Sequence, residues 1–229
     1  MADAALIAER AEAIRARIRA AGGDPARVTL VAVTKTFSAQ DAAAALAAGL
    51  VDLGENYAQE LVEKAEVLAG PLLVPGGPSP RWHFIGQLQR NKVRAAAPYV
   101  ALWQSIDRTS LADELARRAP GAAALVQVNV TGEAAKGGCE LEAAAGLVEH
   151  ARAAGLDVRG LMAVGPTDPG RDPRPAFERL AALADRLGLA VRSMGMTDDL
   201  EAAVACGSTM VRVGRALFGP RMPPTAVRH

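Results

Sequence analysis

A primary amine at the end of an apolar run is the first feature of this chain that could do chemistry. Lys35 closes Val28-Thr29-Leu30-Val31-Ala32-Val33-Thr34-Lys35, and no other residue of that run is charged. In a strand alternate residues share a face, so Lys35 falls on the side of Val31 and Val33. Burial there disfavours the ammonium form, and a neutral amine is a nucleophile toward aldehydes. The other reading is a strand-end lysine that carries its charge out to water. Only four of the 26 basic residues are lysine (Lys35, Lys64, Lys92 and Lys136), and guanidinium cannot form a Schiff base, so a retained lysine is informative. Lys64 follows Glu60 by four residues on an expected helix and reads as an ordinary surface ion pair. Arg212 poses the opposite problem. It sits inside the apolar run Thr209-Met210-Val211-Arg212-Val213, where a guanidinium is costly without partners. Those partners are either a structural carboxylate or an acceptor on a ligand.

The elements that must carry these residues alternate. Apolar runs are expected as strands at 28–35, 50–54, 82–86, 99–106, 123–130, 157–165, 190–195 and 209–214. Helical patterns lie between them at 39–48, 56–69, 88–97, 109–118, 140–154, 174–187 and 198–206. An amphipathic helix over 3–21 comes first, with Ile7, Ala11, Ile14, Ile18 and Ala21 on one stripe. Eight strands alternating with helices predict a single α/β domain over 1–229, a (β/α)8 TIM barrel with an extra N-terminal helix. A doubly wound sheet is the competitor, but its glycine-rich turn is replaced by Thr36-Phe37-Ser38-Ala39-Gln40 after the first strand. The Pro- and Gly-rich stretches from Gly70 to Arg81 and from Pro166 to Pro175 read as surface loops.

In a barrel the strand carboxyl ends converge on one face. That face would gather Lys35, Asn56 of Gly54-Glu55-Asn56-Tyr57, Asn129 with Lys136 beyond it, Met162, Ser193-Met194-Gly195-Met196, and Arg212-Val213-Gly214-Arg215. The loops after strands seven and eight are a common phosphate site in barrels. Gly195 and Gly214 would allow close approach, and the Ser193 hydroxyl could donate. Asp198 and Asp199 oppose an anion, although Asp198 with Glu201 has capping-box spacing. A Schiff-base lysine, a phosphate cradle and an interior arginine together describe a site for pyridoxal 5′-phosphate (PLP).

At this point the chain resembles the pyridoxal phosphate homeostasis proteins, whose fold is similar to the barrel of alanine racemase (fold-type III among PLP proteins). The resemblance runs from the N-terminal helix to Phe218-Gly219. It rests on Ala32-Val33-Thr34-Lys35-Thr36, Gly54-Glu55-Asn56-Tyr57, His83-Phe84-Ile85-Gly86 with Gln89, Asn91 and Lys92, Gly160-Leu161-Met162-Ala163, Ser193-Met194-Gly195-Met196, and Gly207-Ser208-Thr209-Met210-Val211-Arg212-Val213-Gly214. It implies a Schiff base to PLP on Lys35, Arg212 facing the pyridine nitrogen, and Ser193, Gly195 and Gly214 at the phosphate, with Asn56 and Met162 also at the cofactor. Many relatives carry a second lysine two residues after the first; here that position is Phe37. Lys136 keeps a lysine of the family, as a ligand contact near the barrel mouth or a solvated loop residue.

Alanine racemase needs a second domain and an opposite-face tyrosine, and this chain is expected to lack both. An arginine at the pyridine nitrogen leaves the ring a weak electron sink, because guanidinium does not readily give up its proton. The expectation is a PLP carrier or buffer in vitamin B6 and amino-acid homeostasis, with apo PLP-dependent enzymes as possible recipients. A weak amino-acid racemase and a cofactor-free Schiff-base aldolase are the alternatives. Formal net charge is +1, without a basic stripe, so nucleic acid is not an expected partner. Two cysteines exclude a disulfide scaffold, and the three histidines show no metal-ligand spacing. Without a leader or an apolar stretch of membrane length, a soluble cytoplasmic monomer or weak dimer is expected.

Overall fold

The structure is a computed structural model, and it describes residues 3–70 and 78–220. Eight parallel strands close into a barrel: β1 (Thr29–Val33), β2 (Asp52–Glu55), β3 (Arg81–Phe84), β4 (Val100–Ile106), β5 (Ala123–Asn129), β7 (Asp157–Met162), β8 (Val191–Ser193) and β9 (Met210–Val213). Closure is made by β1 against β9 and β4 against β5. A two-residue strand, β6 (Cys139–Glu140), adds to the end of β5. The TIM barrel expected from the βα alternation is therefore the observed fold.

The strands alternate as their sequences require. Leu30 and Ala32 of β1 face outward into the core shared with the helices, whereas Val31 packs inside the barrel with Leu102, Leu125, Met162 and Met210. Outside lie α2 (Ala39–Ala47), α3 (Ala58–Ala69), α4 (Arg90–Ala96), α5 (Thr109–Arg118), α6 (Ala144–Ala153), α7 (Arg174–Arg186) and α8 (Leu200–Ala205). The N-terminal helix α1 (Ala4–Ala20) is capped by the Asp3 side chain and buries Ile7, Ala11, Ile14 and Ile18 of the expected stripe, with Ala21 half-buried at its C-cap. It packs against α2, α8 and the short α9 (Arg215–Phe218).

Several boundaries differ from the apolar runs. β1 stops at Val33, so Lys35 stands in the following turn and not in the strand itself. The Asp198–Glu201 capping box does not form: α8 begins at Leu200, Asp198 pairs with Arg215 and Glu201 pairs with Arg17. The carboxylate of Asp199 accepts from the Met196 N–H at 2.6 Å. Longer-range partners outbid the local cap. Of the loop expected from Gly70 to Arg81, residues 71–77 lie outside the described residues; the Pro166–Pro175 loop is irregular as expected.

Candidate functional site

A cavity of about 380 Å³ opens at the carboxyl ends of β1, β2, β8 and β9. Its walls include Lys35, Asn56, Arg212 and Gly214. Strand register explains the meeting of Lys35 and Arg212: Val31 lies opposite Arg212 across the β1–β9 pair, and Ala32 opposite Val213. The turn after β1 and strand β9, far apart in the chain, thus meet at one cavity. Val33, Ile85 and Val164 supply apolar wall; Met196, Thr197, Asp198 and Arg215 line the β8 and β9 side. Asp198 is engaged by Arg215, which removes much of the objection that its carboxylate raised to an anion there.

The turn that presents Lys35 is tightly held. Thr36 has φ 66°, the only left-handed non-glycine conformation among the described residues, and costly for a β-branched residue. Its N–H donates to Glu60 Oε2 at 2.8 Å. On the other side of Lys35, the Thr34 hydroxyl donates to Glu55 Oε1 at 2.6 Å, and the Thr34 carbonyl accepts from Lys64 Nζ at 2.8 Å. Lys64 also donates to Glu55 Oε1 at 2.6 Å and to Glu60 Oε2 at 3.2 Å. The reading of Lys64 as a surface residue is therefore corrected: it is buried, within an ion-pair cluster that grips both peptides flanking Lys35. Burial pushes the Glu55 carboxyl up, against the pull of Lys64 and Thr34. The signal was present in α3, where Leu61, Lys64, Ala65 and Leu68 share the buried stripe.

Arg212 is 4% exposed and its guanidinium is anchored by three hydrogen bonds to neutral oxygens. Nη1 donates to the Ser193 carbonyl at 2.8 Å and to the Ser193 hydroxyl at 2.7 Å; Nη2 donates to the Ala163 carbonyl at 2.8 Å. Desolvation lowers its pKa to about 10, with Asp199 pulling the other way, so it stays protonated at neutral pH. No carboxylate bonds it directly among the described residues, so the structural-carboxylate alternative is not what the fold contains.

Three residues expected at the ligand do not line the cavity. Ser193 is fully buried beneath Arg212, with its hydroxyl proton donated to Gln104 Oε1 at 2.6 Å. Met162 belongs to the barrel interior. Gly195 has φ +96°, and a Cβ there would lie 2.6 Å from the Ala203 Cβ, so the turn and the packing of α8 require glycine. Gly214 does reach the cavity, ahead of the first-turn N–H groups of α9. Lys136 is part-buried and does not line the cavity: its ammonium bonds the Gly165 carbonyl and Glu133. His83 is buried among side chains, His150 pairs with Asp113, and His229 lies outside the described residues. No cluster of metal-ligating side chains occurs among the described residues.

A parallel (β/α)8 barrel with a lysine in the turn after β1 and a buried arginine on β9 defines the class of alanine-racemase-like barrels. The alanine racemase N-terminal domain profile matches residues 4–222. A pyridoxal phosphate homeostasis protein of Pseudomonas aeruginosa is 44% identical over 227 residues, covering 94% of this chain and 96% of that one. PipY of Synechococcus elongatus, solved with PLP bound, superposes with a TM-score of 0.78 at 30% identity, covering 93% of this chain and all of PipY. Alanine racemase of Corynebacterium glutamicum shares the fold, with a TM-score of 0.70 at 20% identity, and this chain spans 63% of its length. The chain belongs to the pyridoxal phosphate homeostasis protein family, within the alanine racemase N-terminal domain fold.

Proposed function

We propose that this protein binds PLP as a Schiff base on Lys35 and acts as a carrier or buffer of the cofactor, supplying apo PLP-dependent enzymes in the cytoplasm. The observation that carries the reading is the shared cavity of Lys35 and Arg212. When bound, PLP supplies an aldehyde for an amine to capture and a pyridine ring that can draw electrons. The side chains fit such a group. Lys35 offers the amine, Val33, Ile85 and Val164 offer faces for an aromatic ring, and Arg212 offers a fixed donor to the ring nitrogen. Gly214, the first turn of α9 and Arg215 suit the phosphate end. Asn56 completes the polar rim, whereas Ser193, Met162 and Gly195 serve from behind as support.

The same residues favour holding the cofactor over transforming amino acids with it. Arg212 is a donor that keeps its proton, so it orients the ring without protonating it. Moving a proton across the two faces of a substrate carbon takes two positioned groups. Lys35 can fill one role, but Asp198, the lining carboxylate, is tied to Arg215.

The deciding experiment is borohydride reduction of PLP-loaded protein followed by peptide mapping. Lys35 should carry the pyridoxyl group. A label on Lys92 or Lys136 instead would overturn the assignment. Protein that gains no absorbance band with PLP would favour a cofactor-free aldolase, and exchange of amino-acid α-protons with deuterium would favour a racemase.

A further inference from the structure

Behind Arg212 a line of buried side chains crosses the barrel interior. Arg212 Nη1 bonds the Ser193 hydroxyl, Ser193 bonds Gln104 Oε1, and Gln104 Nε2 lies 2.7 Å from His83 Nδ1. His83 Nε2 in turn lies 3.0 Å from Asp52 Oδ1, and Asp52 is held from outside by Arg81 at 2.9 and 2.6 Å. Gln104 and Ser193 are both fully buried, so no water can substitute for a missing partner without opening the core.

The two ends determine the direction of every proton. Guanidinium is donor-only, so the Ser193 oxygen must accept from Arg212. The serine proton then goes to Gln104 Oε1, which leaves the Gln104 amide nitrogen facing His83. Nδ1 must accept from it, and the imidazole proton must sit on Nε2. Ionised Asp52 is acceptor-only and receives that proton. Burial raises the Asp52 carboxyl, but its bonds to His83 and Arg81 outweigh this and hold it below the ordinary range. Reversing the Gln104 amide would set two donors against Ser193 and leave its buried proton with no acceptor among the described residues. A single arrangement satisfies the whole line.

From this geometry we infer that Gln104 and His83 are positioning residues for Arg212, holding its guanidinium at a set angle to the cofactor ring through Ser193. The consequence at the cofactor rests on the reading that Arg212 faces the pyridine nitrogen. The line itself does not.

Two measurements test it. On the cofactor-free wild-type chain, nitrogen-15 NMR of the imidazoles should show His83 as the neutral tautomer protonated on Nε2. A proton on Nδ1, whether in the other tautomer or in an imidazolium at neutral pH, would overturn the line. The second uses Gln104→Met, which keeps the volume and removes the amide contacts to Ser193, His83 and the Met210 sulfur. PLP should still attach to Lys35, with a shifted absorbance band and affinity weakened about tenfold, the scale of one net buried hydrogen bond. A variant that melts earlier but keeps the wild-type band and affinity would show a structural role only and overturn the inference. The tautomer is read on the wild-type chain, so it decides even if the variant is unstable. Failure of wild-type PLP to attach at all would instead count against the proposed function.

Discussion

The ammonium of Lys64 sits among oxygens contributed by Glu55, Glu60 and Thr34, on the chain immediately beside Lys35. A buried pair contributes little net stability, but removing one member leaves the other charge stranded. Lys64→Met should therefore cost about 3–5 kcal/mol by urea denaturation at neutral pH. The loss should be smallest in acid. Burial already places the folded Glu55 carboxyl above its unfolded value, so stability linked to it is present at low pH and lost as pH rises through the folded pKa. Adding Glu55→Gln should recover most of the loss. A Lys64→Met protein as stable as wild type would show that the cluster does not hold the turn. Lys64 also illustrates what residue-level reading can miss. Its spacing to Glu60 is that of a surface pair, and the pair does form, yet the stripe it shares with Leu61 and Leu68 places it inside.

At the scale of elements, the loops after β5 and β7 are pinned together by one carboxylate. Glu133 accepts from the Thr167 N–H at 3.1 Å and from Lys136, whose ammonium also bonds the Gly165 carbonyl. The bonds from Thr167, more than the Lys136 charge, hold the Glu133 carboxyl down at about 2. Its folded value lies below its unfolded one, so the pin is intact above the ordinary carboxylate range and is lost as pH falls toward about 2. Protection of the Thr167 amide against hydrogen exchange should decline over that window. Protection unchanged across it would show that the loops are held by something else. The elements themselves were largely legible, because a short apolar run followed by a pattern of period near 3.6 recurs seven times. The exceptions, β6 and α9, are two and four residues long, too short to show a period.

For the whole molecule, the exposed large apolar side chains among the described residues are Leu6 on α1, Tyr57 and Val67 at either end of α3, and Met196 at the cavity. Such dispersed positions do not make the broad apolar patch of an obligate interface. The expected state is a monomer or weak dimer, and multi-angle light scattering at micromolar concentration checks it. A tight tetramer would contradict this. None of the described helices is long and apolar enough to cross a membrane.

The order of strands and helices, and an amine and a guanidinium in apolar strand contexts, follow from the sequence alone, because local periodicity and the cost of burying charge are written residue by residue. The strand register, by contrast, belongs to the closed barrel. It brings Val31 opposite Arg212 and so puts the turn carrying Lys35 at the same cavity as Arg212, although about 180 residues of chain separate the two strands. Only the closed barrel also turns Ser193 away from the cavity toward Gln104, and links Gln104 to His83 and Asp52. Those partners come from four strands, and a hydrogen bond between distant strands leaves no periodic trace in any one of them. What sequence could show was that Arg212 needed partners; which ones it has was settled when the barrel closed.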